Sequence, residues 1–181
     1  MERDVKKVLI SNEEIVKRTI EMANQISKDY AGKTPILVGL LKGSVTFMAE
    51  LLKQISIFCQ TEYMVVSSYQ GTKSTGEIKI VKDIDVSIQG KDIIIVEDIV
   101  DTGITLNTIV KLLRHRGANS VEIACLLNKE ARRVVPVEAK YIGFDIPDEF
   151  VIGFGLDYNE LYRNLPYVGV LKEEVYQRRN A

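Results

Sequence analysis

Hydrophobic residues along the chain follow two periods, one helical and one strand-like. From Ser11 to Gly32, SNEEIVKRTIEMANQISKDYAG places Ile15, Ile20, Ala23 and Ile26 near helical spacing, which predicts a helix with one apolar face. Ser11 and Glu14 form a capping box at its start, and Gly32 marks its end. PILVGLL (Pro35 to Leu41) is a continuous apolar run and reads as a buried strand. KGSVTFMAELLKQI then predicts a turn and a helix with Val45, Met48, Leu51, Leu52 and Ile55 inward. EYMVVSSY and IKIVKDIDV read as strands, and the polar QGTKSTGE between them (Gln70 to Glu77) as an exposed, mobile loop. KDIIIVEDIV is apolar at consecutive positions, as in a strand covered on both faces of a parallel sheet. TLNTIVKLLRHRG follows as an amphipathic helix closed by Gly117. SVEIACLLN, AKYIGFDI, FVIGFGLDY and LPYVGVL are further strands or extended segments.

Strand–helix alternation of this kind predicts an α/β fold with a central, mostly parallel sheet flanked by helices. No linker, repeat or low-complexity tract divides residues 1–181. A single domain is expected, with a core over about 35–135 and a small hood from the N-terminal segment and about 136–181.

Composition narrows the class. A chain of 181 residues can bury a substantial core. With 24 basic against 25 acidic side chains the net charge is -1, which argues against broad electrostatic binding to nucleic acid. Cys59 and Cys125 sit in apolar stretches at no metal-ligand spacing and read as buried thiols, in keeping with a reducing cytoplasm. MERDVKKVLI lacks the apolar centre of a signal peptide, and no apolar run approaches the roughly 20 residues of a membrane span. The only histidine, His115, reads as a solvated helix-end residue, because no serine or cysteine motif accompanies it.

One stretch demands an explanation. IIIVEDIVDTGIT (Ile93 to Thr105) runs from four apolar residues into Glu97, Asp98 and Asp101. Carboxylates that close repel one another, and burying them is costly without a partner. The loop after such a strand lies at the carboxyl edge of the sheet, where open α/β folds bind ligands. Thr102-Gly103-Ile104-Thr105 then offers a tight turn, two hydroxyls and the free amides of a helix start, which suit a phosphate. A ribose phosphate would satisfy both halves, its hydroxyls on the acids and its phosphate on the amides. Solvated strand-end acids beside an ordinary turn remain the other reading of these residues. Neither a GxxxxGK(S/T) loop nor a dinucleotide fingerprint is present.

VEDIVDTGIT resembles the PRPP motif of type I phosphoribosyltransferases: hydrophobic residues, two acids, then a D-T/S-G-x-T phosphate loop. LVGLLKGSVTFMAEL, SSYQGTKSTGEIKI, LLNKEARR and PDEFVIGFGLDYNELYRNLPYVGVL resemble the hypoxanthine-guanine phosphoribosyltransferase family in the same order, over roughly residues 5 to 175. The resemblance implies a Rossmann-like core with a hood. It also implies transfer of the 5-phosphoribosyl group from PRPP, with Mg2+, to a 6-oxopurine base, giving IMP or GMP and pyrophosphate.

The resemblance further implies roles, position by position. Glu97 and Asp98 hold the ribose hydroxyls and serve the metal; Asp101 is the general base toward the purine N7. Thr102, Gly103, Ile104 and Thr105 seat the 5-phosphate. Leu41, Lys42 and Gly43 form the pyrophosphate loop, whose Leu-Lys peptide is often cis in the family, with Arg133 and Arg163 beside it. Ser68 and Tyr69 begin a loop that closes over the site. Lys129 contacts the purine O6, Phe150 stacks on the ring, and the Val151 backbone reads its edge. Asp157 belongs with the purine-binding residues and helps hold Mg2+. Ile104 stands where relatives often carry lysine, which leaves the phosphate more dependent on backbone amides and hydroxyls. The short N-terminus suggests a bacterial size, and the family implies a homodimer or homotetramer. Two alternatives stay open: a xanthine-preferring transferase, and a regulator of the same fold that binds nucleic acid.

Overall fold

Three strands are apolar at consecutive positions because both of their faces are covered. In the computed structural model, which describes residues 1–68 and 78–177, these are β2 (Ile36–Leu41), β5 (Asp92–Val100) and β6 (Ser120–Asn128). Helices α1 (Asn12–Asp29) and α2 (Val45–Gln54) cover one face, packing on Leu37, Ile94, Val96, Ala124 and Leu126. Helix α3 (Ile104–His115) covers the other, through Leu106, Ile109 and Leu113 against Ile36, Val38, Ile93, Ile95 and Ile123. Successive strand residues thus enter opposite core layers. Ile93 to Val96 are 0% exposed, and each such burial contributes about 1.5–3 kcal/mol.

Strand β3 is Gln60–Ser68, β4 is Ile78–Lys82 and β7 is Tyr141–Asp145. The described strands of the main sheet run in the order β4-β3-β2-β5-β6-β7. All pairings are parallel except that of β4, which lies antiparallel on the outer edge of β3. A second, antiparallel sheet forms the hood: β1 (Val5–Ile10), β9 (Val168–Leu171) and β8 (Val151–Ile152), in the order β1-β9-β8. Its small core is Ile152, Tyr162, Leu165 and Leu171. A short helix, α4 (Glu173–Gln177), ends the described chain.

The capping box of α1 is present, with the Glu14 amide donating to Ser11 Oγ at 3.2 Å and the Ser11 amide to Glu14 Oε2 at 2.8 Å. Several sequence expectations shift. Helix α1 ends at Asp29, before Gly32, and buries Thr19 and Met22, whereas Ile20 is exposed. In α2, Phe47 is buried and Val45 is exposed, because the inward stripe is offset by about one position at the first turn. β7, expected in the hood, is an edge strand of the main sheet, so that sheet extends to Asp145. An alternating apolar segment does not by itself say which sheet it joins. Among the described residues, no helix is long and apolar enough to cross a membrane.

Candidate active site

Glu97, Ile99 and Asp101 line a cavity of about 250 Å³ at the carboxyl edge of the sheet. Leu41, Thr102 and Thr105 complete much of its wall. Glu97 Oε2 is sealed from solvent and has no hydrogen-bond partner among the described residues. Burial, and then the neighbouring charge of Asp98, pushes the Glu97 carboxyl well above the usual glutamate range. Asp98 is raised too, chiefly by burial, although its Oδ1 accepts the Ile99 amide at 2.7 Å. Such a pair is costly without further partners and suits hydroxyl donors or a cation. Cys125, in register with Glu97 on the neighbouring strand, is buried with its thiol pushed up to about 12, so it is not a nucleophile.

The phosphate loop follows directly. Gly103 has φ +82 and caps α3; a Cβ there would also sit 2.6 Å from the Val135 carbonyl oxygen. Only glycine satisfies both constraints. The Thr102 carbonyl accepts the Val134 and Val135 amides at 3.0 and 3.1 Å, which ties the loop to the segment behind it. Amides in the first turn of α3 lack intrahelical acceptors and face the cavity end, forming an anion cradle. Thr102 and Thr105 flank it, and Ile104 adds no charge.

Arg133 does not reach the pyrophosphate side. Its Nε donates to the Asp101 carbonyl at 2.9 Å, Nη1 to Val137 O at 2.8 Å, and Nη2 to Val100 O at 3.3 Å and Asn128 Oδ1 at 2.6 Å. Every guanidinium nitrogen is thus engaged within the protein, and the residue is a strut beneath the phosphate loop. Sequence position could not reveal this, because the acceptors are carbonyls gathered from three segments. Its neighbour Arg132 faces the site instead, with Nε 3.6 Å from Asp101 Oδ1.

Three backbones converge on the other side of β5. A Cβ on Gly43 would lie 1.8 Å from Asp98 Oδ2, and one on Gly155 would lie 2.0 Å from the Gly43 carbonyl oxygen. The loop between β2 and α2 is therefore clamped between the acidic strand and the hood. The Leu41–Lys42 peptide in this loop is cis. Lys42 Nζ reaches Glu160 Oε2 at 2.8 Å, and Arg163 Nη2 reaches Glu160 Oε1 at 3.3 Å and Asp157 Oδ1 at 2.9 Å. Arg163 Nε is buried without a partner among the described residues, a donor free for an anion. Asp157 also accepts the Glu160 amide at 2.9 Å. Glu97, Asp98 and Asp157 do not assemble as one ligand set: the described residues contain no group of three metal-ligating side chains. Asp157 is drawn away toward Arg163.

Lys129 is 7% exposed, and its Nζ donates to the Glu149 carbonyl at 2.8 Å with Asp148 Oδ1 at 3.8 Å. It is thereby brought beside Phe150 and Val151. Phe150 is partly exposed, packed edge-on to Tyr158 with centroids 5.6 Å apart. Ser68 ends β3; Tyr69 and the rest of the expected closing loop, up to Glu77, lie outside the described residues. Two residues escaped the sequence reading. Ile99 lines the cavity between the two acidic positions while packing on the α1 and α2 core layer, a placement that strand alternation from Glu97 does not indicate. Ser44, at the start of α2, has a buried hydroxyl without a partner among the described residues.

A doubly covered parallel sheet ends in an acidic strand with an adjoining phosphate cradle, and comparisons with known proteins place the chain in a family. A family model described as phosphoribosyl transferase domain matches residues 7–159, and the chain belongs to that family. Within it, the chain is 55% identical to the hypoxanthine-guanine phosphoribosyltransferase of Streptococcus thermophilus, over 98% of this chain and 99% of that protein. The protein of the same name from Streptococcus mutans is also 55% identical, with the same coverage. A crystal structure of a hypoxanthine phosphoribosyltransferase from Staphylococcus aureus matches with a TM-score of 0.94 and 53% identity, covering 97% of this chain and 96% of that one.

Proposed function

We propose that the protein is a purine-salvage hypoxanthine-guanine phosphoribosyltransferase. It transfers the 5-phosphoribosyl group of PRPP to N9 of hypoxanthine or guanine and releases IMP or GMP with pyrophosphate. The observation that carries this reading is the acidic pair of Glu97 and Asp98 set directly against a phosphate cradle, with the Lys129 amide donating to the Val100 carbonyl at the same strand end at 2.9 Å. Named relatives at 55% identity over nearly the full length support it.

The 5-phosphate occupies the amides of Thr102 to Thr105, and the ribose 2- and 3-hydroxyls donate to Glu97 and Asp98. Glu97 then gains a partner for its orphaned oxygen, and the negative charge of the two acids favours the cationic ribose that develops as the C1–pyrophosphate bond stretches. Pyrophosphate leaves toward Lys42, the Gly43 amide and the free Nε of Arg163. Phe150 and Ile99 supply apolar contacts for the purine plane, and Val151 presents backbone to its edge. Lys129, already committed to one carbonyl, gives a second donor to O6; an ammonium favours that oxygen and disfavours the amino group of adenine. Asp101 takes the N7 proton as N9 attacks.

Mg2+ suits the donor set, because an orphaned buried carboxylate oxygen on Glu97 awaits a cation or hydroxyl and Mg2+ takes few protein carboxylates. When bound, it neutralises charge on the pyrophosphate. Glu97 and Asp98 would hold it, while Asp157 is engaged by Arg163. The protein works in the cytoplasm as a homodimer or homotetramer; Phe58, 87% exposed, is an apolar contact available for self-association.

The test is product analysis. The purified protein is incubated with PRPP, Mg2+ and each of hypoxanthine, guanine, xanthine, adenine and uracil, and nucleotides are resolved by chromatography. IMP and GMP are expected with equimolar pyrophosphate. XMP as the main product would move the assignment to a xanthine-preferring transferase, and no nucleotide from any base would end it.

A further inference from the structure

The last described element, α4, meets Phe150 through the ring of Tyr176. Tyr176 stacks on Phe150 with centroids 5.4 Å apart and planes 26° from parallel. Tyr158 meets the same phenylalanine edge-on at 89°. Tyr176 also packs against the hood core of Ile152, Tyr162, Leu165 and Leu171, so it backs Phe150 from the hood side. Phe150 remains 42% exposed, which leaves the rest of its ring open.

We propose that Tyr176 is a positioning residue for the base: it fixes the plane of Phe150 against which the purine stacks. The inference rests on Phe150 being the purine platform. The Phe150 backbone is already pinned, since its carbonyl accepts the Leu171 amide at 2.9 Å. What remains free is rotation of the ring, and turning it would break the Tyr176 stack and the Tyr158 edge contact together. The tail that carries Tyr176 is itself anchored: the Lys172 amide donates to Asp4 O at 2.9 Å and its Nζ to Arg3 O at 2.7 Å. A residue far along the chain from the acidic strand thereby sets how the base lies over it.

Steady-state kinetics on the full chain test this. Tyr176→Ala should raise KM for hypoxanthine and guanine about 3- to 10-fold, the range of an aromatic pair, with kcat and the KM for PRPP within about twofold of wild type. Tyr176→Phe should restore the wild-type KM. Tyr176→Leu keeps an apolar side chain without a ring plane and should resemble Tyr176→Ala; it decides the matter if the alanine variant does not fold by thermal melt. An unchanged base KM in the folded variants, alongside a raised base KM in Phe150→Ala, would overturn the positioning role alone. An unchanged base KM in Phe150→Ala would remove the platform and the inference with it. A lowered base KM in Tyr176→Ala, meaning that the ring obstructs the base, or an equal rise for PRPP, would also overturn it.

Discussion

Strand β5 carries carboxylates at both ends, and the fold treats them in opposite ways. At the amino end, Asp92 accepts the Ser120 hydroxyl at 2.6 Å and the Asn119 amide at 2.7 Å, with Lys33 at 3.2 Å. Those contacts, the Ser120 hydrogen bond foremost, hold its carboxyl below the usual aspartate range despite burial. At the carboxyl end, Glu97 and Asp98 are raised by burial, and Glu97 Oε2 has no partner among the described residues. One end is finished by the protein; the other is left for a ligand to finish. A carboxylate that the fold could pair but does not is a stronger sign of function than a carboxylate in a cleft.

Three experiments sharpen or break that contrast. The largest effect should come just beyond the carboxyl end. Asp101→Asn should lower turnover by about 10²- to 10⁴-fold, as for loss of a positioned base, while PRPP binding, followed by calorimetry, stays close to wild type. Near-normal turnover would take Asp101 out of the proton transfer.

Next, Glu97→Gln should lose activity yet gain stability in the absence of ligand, with an increase in Tm of a few degrees for about 1 kcal/mol. The sign follows from linkage. A carboxyl raised in the folded state keeps its proton longer there than in the unfolded chain, so stability is full below the ordinary glutamate range and declines as pH rises through the raised value. Melts from acid to neutral pH should show that decline in wild type and less of it in Glu97→Gln. A variant destabilised at neutral pH would mean that the acid is already satisfied.

The smallest effect belongs to the amino end. Asp92→Ala should cost about 1–3 kcal/mol of stability, the scale of lost hydrogen bonds to a charged group, and leave kcat/KM within twofold. Here the linkage runs the other way. The lowered carboxyl contributes above the ordinary aspartate range and ceases to contribute as pH falls through its folded value, so wild type and Asp92→Ala should converge in acid. A large kinetic defect in this variant would erase the distinction between the two ends.

The carboxyl end was legible in the sequence because its parts are contiguous. Glu97 to Thr105 lie on one strand, turn and helix start, so chain order and spatial order coincide. The α1 cap was legible for the same local reason. The base side was not readable from residue chemistry alone: Lys129, Phe150, Tyr158 and Tyr176 come from separate elements and meet only when the hood packs. Resemblance named Lys129 and Phe150 for the base, and it placed Arg133 toward pyrophosphate, where the structure has its guanidinium donating to carbonyls under the loop. Asp92 was unremarkable as a letter, since each of its three partners lies 27 or more residues away in the chain. β7 was misallocated because pairing partners, not local pattern, decide sheet membership.

The abutment of Gly43 against Asp98, and of Gly155 against Gly43, bears on how this enzyme could be re-tooled. Neither site can accept even a methyl group without displacing main chain or the acidic side chain, so the two must be retained together by any descendant that handles the same sugar donor. Lys129 and Phe150 face no such double constraint. New acceptor specificities should therefore accumulate on that flank, in laboratory selection as in natural divergence, while the glycine seam stays invariant.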